Sequence, residues 1–168
     1  MMEKPRPLTK GGVESVMLPP LIFSLRKGRR NMHKTRLKRL ADLLERKGPY
    51  RGKKPIPDDK FDMKTWKSSN YMGCGTTACA IGWAAQDKWF KEKGLKLEKT
   101  GFHEWWPVTI TKQGEEIDGL DAVMDFFDLS YEEADFLFVP PLGSIDSITA
   151  VEKAQVIRRF IDRRTKKN

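Results

Sequence analysis

Two cysteines and two histidines are all that the 168 residues hold of the side chains that most often bind metals or attack substrates. Two cysteines cannot build a disulfide framework, so the sequence reads as that of a chain kept in a reducing, cytoplasmic compartment. Four-ligand zinc binding is equally hard to assemble, because Cys74 and Cys79 are followed by one histidine, His103. No metal or cofactor is therefore expected. Long apolar runs are missing too. "VMLPPLIFSL", Val16 to Leu25, contains two prolines and lacks a small-residue cleavage site, which excludes a membrane-spanning helix and a signal peptide. Phosphate-cradling glycine loops, dinucleotide fingerprints and HExxH are absent, and Glu115, Glu116, Asp118, Asp121 and Asp125 do not follow calcium-loop spacing.

What is abundant is charge, unevenly placed. The net formal charge of +9 resolves into +5 over residues 1–31, +6 over 32–60, +3 over 61–114, −10 over 115–148 and +5 over 149–168. A basic first third and a basic tail thus flank an acidic block. Such a chain can attract phosphate or an acidic protein surface, or it can pair its own charges across the fold. With 39% apolar residues, 5 Trp and 9 Phe there is material for one packed core.

Residues 1–31 hold Pro5, Pro7, Pro19 and Pro20, show no sustained period and end in "RKGRR". They read as a disordered basic extension, with the functional start at Met32 and a single α-rich domain over 32–168. Helical spacing begins there: Leu37, Leu40, Leu43 and Leu44 line one face of a helix from Lys34 to Lys47, stopped by Gly48-Pro49. "FDMKTWKSSN" supplies Phe61, Met63 and Trp66 as a short apolar anchor, read as one helical turn or a brief strand, with Asp62 placed to cap or to accept backbone hydrogen bonds. Thr76 or Thr77 is the expected N-cap of a helix in which Ala78, Ile81, Gly82, Ala85 and Trp89 share a face, ended by Lys91, Lys93 and Gly94. Alternation at Leu95, Leu97, Val108 and Ile110 around the "TKQGEE" turn predicts an antiparallel hairpin. Helices follow with a Leu120, Val123, Met124, Phe127 stripe, then from Tyr131 to Phe138 behind a Ser130/Glu133 capping box. The last runs from Thr149 to Arg164, with Val151, Ala154, Ile157, Phe160 and Ile161 inward. The predicted class is α+β, predominantly α, with about five helices and one small hairpin.

The segments "FDMKTWKSSNYMGCGTTACAIGWA" and "FFDLSYEEADFLFVPP", followed by an amphipathic helix, resemble a family of small uncharacterised bacterial and bacteriophage proteins with an FDM…W…CGTxACxxGWA pattern and a later EAxxLF segment. The resemblance spans residues 34–163. Ile81 stands where the family often has a small residue, and Phe127-Asp128-Leu129 replaces an LGL-type turn. It implies a shared fold unit and a bacterial or bacteriophage setting, and carries no catalytic mechanism.

Two functional readings follow. The favoured one is a non-enzymatic interaction module that binds nucleic acid or an acidic protein surface through Lys34, Arg36, Lys38, Arg39, Arg46, Lys47, Arg51, Lys53 and Lys54, with Arg158, Arg159, Arg163 and Arg164 solvent-facing on the last helix. No sequence-reading module is recognisable, so binding is expected to be weakly specific. The alternative is a thiol-dependent, hydrolase-like enzyme, with Cys74 activated at a helix entry and His103 as its base. "GFHEWW" sets Glu104 beside that histidine, but neighbours on a strand face opposite ways. Trp105 and Trp106 read as core rather than as an exposed stacking platform, and both cysteines as small packed side chains.

Overall fold

The computed structural model describes residues 32–64, 67–69, 76–100, 104–140 and 148–166. Among them are six α-helices, α1 (Lys34–Glu45), α2 (Ala80–Gln86), α3 (Lys88–Glu92), α4 (Gly119–Phe127), α5 (Tyr131–Phe138) and α6 (Ala150–Lys166). Five short strands accompany them: β1 (Lys67–Ser69), β2 (Thr76–Ala78), β3 (Lys96–Thr100), β4 (Glu104–Ile110) and β5 (Glu116–Asp118). The class is α+β with helices predominant. The predicted extension, residues 1–31, lies outside the described residues.

The expected hairpin is the β3–β4 pair, with Leu97 opposite Pro107 and Lys96 opposite Val108. It is extended into a five-stranded antiparallel sheet. β4 is its centre: β3 lies along one edge, while β1 pairs near Glu104 and β5 near Ile110. The 111–115 turn closes β4 to β5 through Thr111 N–H donating to Glu115 O at 2.8 Å, with Gly114 at φ 84°. β1 falls in "FDMKTWKSSN", where a brief strand was one of two readings, whereas β2 lies on a stretch without apolar alternation and was not expected.

One core joins all six helices. Leu37, Leu40, Leu43 and Leu44 of α1 are buried against Ile157 and Ile161 of α6, Phe126 and Phe127 of α4 and Phe138 of α5 in a single apolar cluster. Each such side chain removed from water contributes about 1.5–3 kcal/mol. Phe126 and Phe127 meet edge to face at 4.9 Å between centroids, the favoured arrangement of two aromatic quadrupoles. The Ser130/Glu133 capping box is present as predicted, and Asp62 accepts from Lys64 N–H at 2.9 Å.

Four local expectations are corrected. Thr76 and Thr77 do not cap a helix; they lie in β2, where β-branched residues are favoured, and Cys79 takes the N-cap position of α2. The helix expected to run through to Gly94 breaks at Asp87, whose extended backbone (ψ 139°) and side chain accepting from Trp89 N–H start α3. On α6 the inward stripe is Ala150, Lys153, Ala154, Ile157 and Ile161; Val151 is exposed, one position off that face, and Phe160 is half-buried. Its entry is a second capping box, in which Thr149 N–H donates to Glu152 at 2.8 Å and Glu152 N–H donates to Thr149 Oγ1 at 3.2 Å. Lastly, the tryptophan pair is not wholly core: Trp105 is half-buried and Trp106 is 37% exposed, lying against the backbone of Gly119.

Candidate functional site

The basic residues predicted to form one outer face are sorted by the fold into two groups. Arg36, Arg158 and Arg164 are occupied within the molecule. Arg36 donates to Phe126 O and lies 4.1 Å from the centroid of that ring, joining α1 to α4. Arg158 donates to Asp42 at 2.6 Å and to Glu45 at 2.8 and 3.0 Å, joining α6 to the end of α1. Arg164 pairs with Glu133 at 2.7 Å, joining α6 to α5. The expectation that Arg158 and Arg164 face solvent is corrected by these pairs: ion pairing across helices stabilises them against release to water. Lys47 also has a partner, Glu45 at 3.1 Å.

The second group converges where α1 ends. Arg46 takes a left-handed backbone (φ 56°) and its N–H satisfies Asp42 and Leu43 carbonyls, so the chain turns sharply through Gly48 (φ 55°) into a 3-10 turn, Gly48–Tyr50. That turn drives the Tyr50 ring into the core while its hydroxyl donates to Asp87 at 2.9 Å and accepts from Arg39 Nε at 3.0 Å. Burial and the adjacent carboxylate push the Tyr50 phenol up to about 12. Asp87 is the same residue that starts α3, so one side chain fixes both the loop and the helix break.

Cations gather on the surrounding rings. The Arg39 guanidinium lies 4.9 Å from the Tyr50 centroid and 5.1 Å from that of Trp89, Lys53 5.2 Å from Tyr50, Lys93 6.0 Å from Trp89, and Arg46 5.7 Å from Trp83. Trp83 is itself held by its indole N–H donating to Lys60 O at 3.2 Å. Four cations thus stand over three rings, and Asp87 accepts from the hydroxyl of one of them, Tyr50. Arg46 Nε is buried and has no hydrogen-bond partner among the described residues, and burial lowers the pKa of this guanidinium. Arg51, Lys53 and Lys54 are exposed on the loop beside it.

Lys38, Arg159 and Arg163 are exposed on α1 and α6, and Lys34 is half-buried at the start of α1. Five contributors escaped the sequence reading: Tyr50, Trp83, Asp87, Trp89 and Lys93. "DKWFKEK" carried a signal, since basic residues interleave with Trp89 there, but its proximity to Tyr50 requires the tertiary fold.

Cys74 and His103 lie outside the described residues. Cys79 is 1% exposed, and burial raises its thiol pKa to about 11, which disfavours a reactive thiolate at neutral pH. Lys153 is 6% exposed, and burial lowers its ammonium pKa to about 8. Among the described residues no group of three or more His, Cys, Asp or Glu is placed to hold a metal ion, and no helix is long and apolar enough to cross a membrane. No protein-family model, curated protein or solved structure matches the chain.

Proposed function

We propose that this protein is a non-enzymatic, cytoplasmic interaction module that binds nucleic acid through the backbone phosphates, using the face built by Arg39, Arg46, Arg51, Lys53, Lys54 and Lys93. The observation that carries this reading is the gathering of four cations, Arg39, Arg46, Lys53 and Lys93, over the rings of Tyr50, Trp83 and Trp89. A cation held over an aromatic ring can still donate to phosphate oxygens through its free N–H groups, and the aromatic support limits the side-chain entropy lost on binding. Flexible neighbours Arg51, Lys53 and Lys54 add long-range attraction. None of these groups is arranged to read bases, so affinity is sequence-independent and salt-sensitive. The bacterial or bacteriophage setting implied by the sequence resemblance agrees with a small accessory binder of this kind.

The test is fluorescence anisotropy of single- and double-stranded DNA and RNA oligonucleotides with the full chain at about 50 and 200 mM salt, across which phosphate-driven affinity falls steeply. Binding that weakens at least tenfold across that range supports the reading. Absence of binding at the lower salt rejects nucleic acid and leaves an acidic protein surface as the anionic partner.

A further inference from the structure

Aromatic rings beside basic residues serve nucleic acid in two ways: they stack on unpaired bases, or they support cations that meet phosphates. On the basic face the second arrangement is the one present. Lys53, Tyr50, Arg39, Trp89 and Lys93 form a row in which cation and ring alternate, at successive separations of 5.2, 4.9, 5.1 and 6.0 Å. Tyr50 and Trp89 thus each carry two cations over the ring. Arg46 stands 5.7 Å from the centroid of the third ring, Trp83.

Little ring surface is left for a base. Tyr50 is 2% exposed, and its hydroxyl is bound to both Arg39 and Asp87. Trp83 and Trp89 are half-buried and pack against the core. Trp89 also meets Phe90 edge to face at 5.0 Å, and the Trp83 indole N–H is taken by Lys60 O. A base that stacked on either indole would compete with a cation for the ring. Trp106, at 37% the most exposed tryptophan among the described residues, is no substitute. Glu98 stands opposite it on β3, and Asp118 directly precedes Gly119, against which the indole lies; both carboxylates are exposed and repel a phosphate chain.

The cations themselves come from three separate elements. Arg39 and Arg46 belong to α1 and its C-cap, Lys53 to the loop after Tyr50, and Lys93 to the C-cap of α3. Gathered in one patch, they suit a ligand with closely spaced phosphates. A duplex carries about one charge per 1.7 Å of its axis, about twice the density of one strand. Single-strand sites without sequence preference draw much of their affinity from bases stacked on open rings, which this face does not offer.

We infer that the basic face takes double-stranded nucleic acid in preference to single strands, contacting the phosphates of the duplex and no unpaired base. The inference rests on the nucleic-acid reading above and specifies the substrate class of that same face.

Fluorescence anisotropy with the full chain at about 50 mM salt tests it on labelled ligands of equal length: a DNA duplex, an RNA duplex, a thymidine single strand, and a strand of abasic sites that keeps the phosphates and lacks the bases. The expected result is a duplex, DNA or RNA, bound about tenfold or more tightly than the thymidine strand, with the abasic strand within about twofold of the thymidine strand. The double variant Lys53→Ala with Lys93→Ala removes two exposed cations of the row; with its fold confirmed by circular dichroism, it should lower the duplex preference about threefold or more. A thymidine strand bound as tightly as both duplexes, or about tenfold more tightly than the abasic strand, overturns the inference and leaves nucleic-acid binding standing. A duplex preference unchanged in the double variant overturns it too, by placing the duplex elsewhere. Absence of binding to all of these ligands rejects the nucleic-acid reading itself, and this inference with it.

Discussion

Arg158 donates to one oxygen of Glu45 through two nitrogens, Nε at 3.0 Å and Nη2 at 2.8 Å, while Nη2 also reaches Asp42 at 2.6 Å. A planar fork of this kind fixes the rotation of α6 against α1, which a flexible ammonium cannot do. Arg158→Ala is expected to destabilise the fold by about 2 kcal/mol in urea unfolding, below the 3–5 kcal/mol of a fully buried broken pair because the guanidinium is partly exposed. Arg158→Lys should recover less than half. Burial pushes the Glu45 pKa up, but hydrogen bonds and charge from Arg158 and Lys47 more than offset it, leaving the folded value below the usual one. Stability from Glu45 is therefore present above the unfolded carboxylate pKa and is lost as pH falls through the folded one. The acid limb of the stability profile should flatten in Arg158→Ala.

Lys153 gives the same direction at the alkaline end, stability rising with pH, but from a group whose charged form destabilises the fold. Burial lowers its pKa to about 8 from 10.5, so at neutral pH the fold holds a charged ammonium in the core, at a cost of about 3 kcal/mol. Between about 8 and 10.5 the unfolded chain binds the proton and the native one does not, so stability rises with pH. Lys153→Met should be more stable than the native protein at pH 7, with the difference disappearing near pH 10.5. Cys79, with its thiol raised to about 11, titrates in the opposite sense above pH 9, so the difference between the two proteins is the quantity to measure. An unchanged difference from pH 7 to 10.5 would reject the buried-ammonium account.

Gly119 and Gly114 form an internal control. Both have positive φ, 57° and 84°, but a Cβ at Gly119 would come within 3.2 Å of Trp106 Cε3 and Cζ3, whereas nothing lies within 4 Å at Gly114. Gly114→Ala is expected to cost about 1 kcal/mol for backbone conformation. Gly119→Ala should cost about 2 kcal/mol or more, since crowding against the indole adds to it. Equal melting temperatures for the two variants would show that Trp106 gives way freely.

The elements legible in the sequence were those whose signals are local. α5 opens on a capping box, with Ser130 directly before its first residue, and α1 carries four leucines at helical spacing; α5 lies at its expected bounds, and α1 ends at Glu45, two residues before the expected Lys47. α6 was found with its face misassigned, because Val151 is apolar yet exposed and Lys153 is charged yet buried, an inversion that hydrophobic pattern cannot anticipate. Asp87 as a helix breaker is a weak local signal that an apolar run on either side concealed. The candidate site was half legible: Arg39, Arg46 and Lys53 were named from charge, but Asp87 meets Tyr50 across 37 residues and Trp89 meets Arg39 from a distant helix, and no periodicity encodes such contacts. Intramolecular pairing, one of the two outcomes that charge asymmetry allowed, accounts for Arg158 and Arg164.

That division makes the binding face testable against its neighbour on α6. Neutralising Arg51, Lys53 and Lys54 together to alanine should weaken oligonucleotide binding and reduce the slope of log affinity against log salt by about 3 on duplex, since each lost phosphate contact removes about 0.9. Neutralising Arg159 and Arg163, equally exposed but carried by α6 with no ring contact to that cluster among the described residues, should leave the slope within experimental error. All five side chains are exposed and outside the core, so thermal stability should hold in both variants. If the slope falls in the α6 variant instead, the aromatic support around Tyr50 and Trp89 stiffens the fold and contributes nothing to binding, and the interface belongs to the outer face of α6.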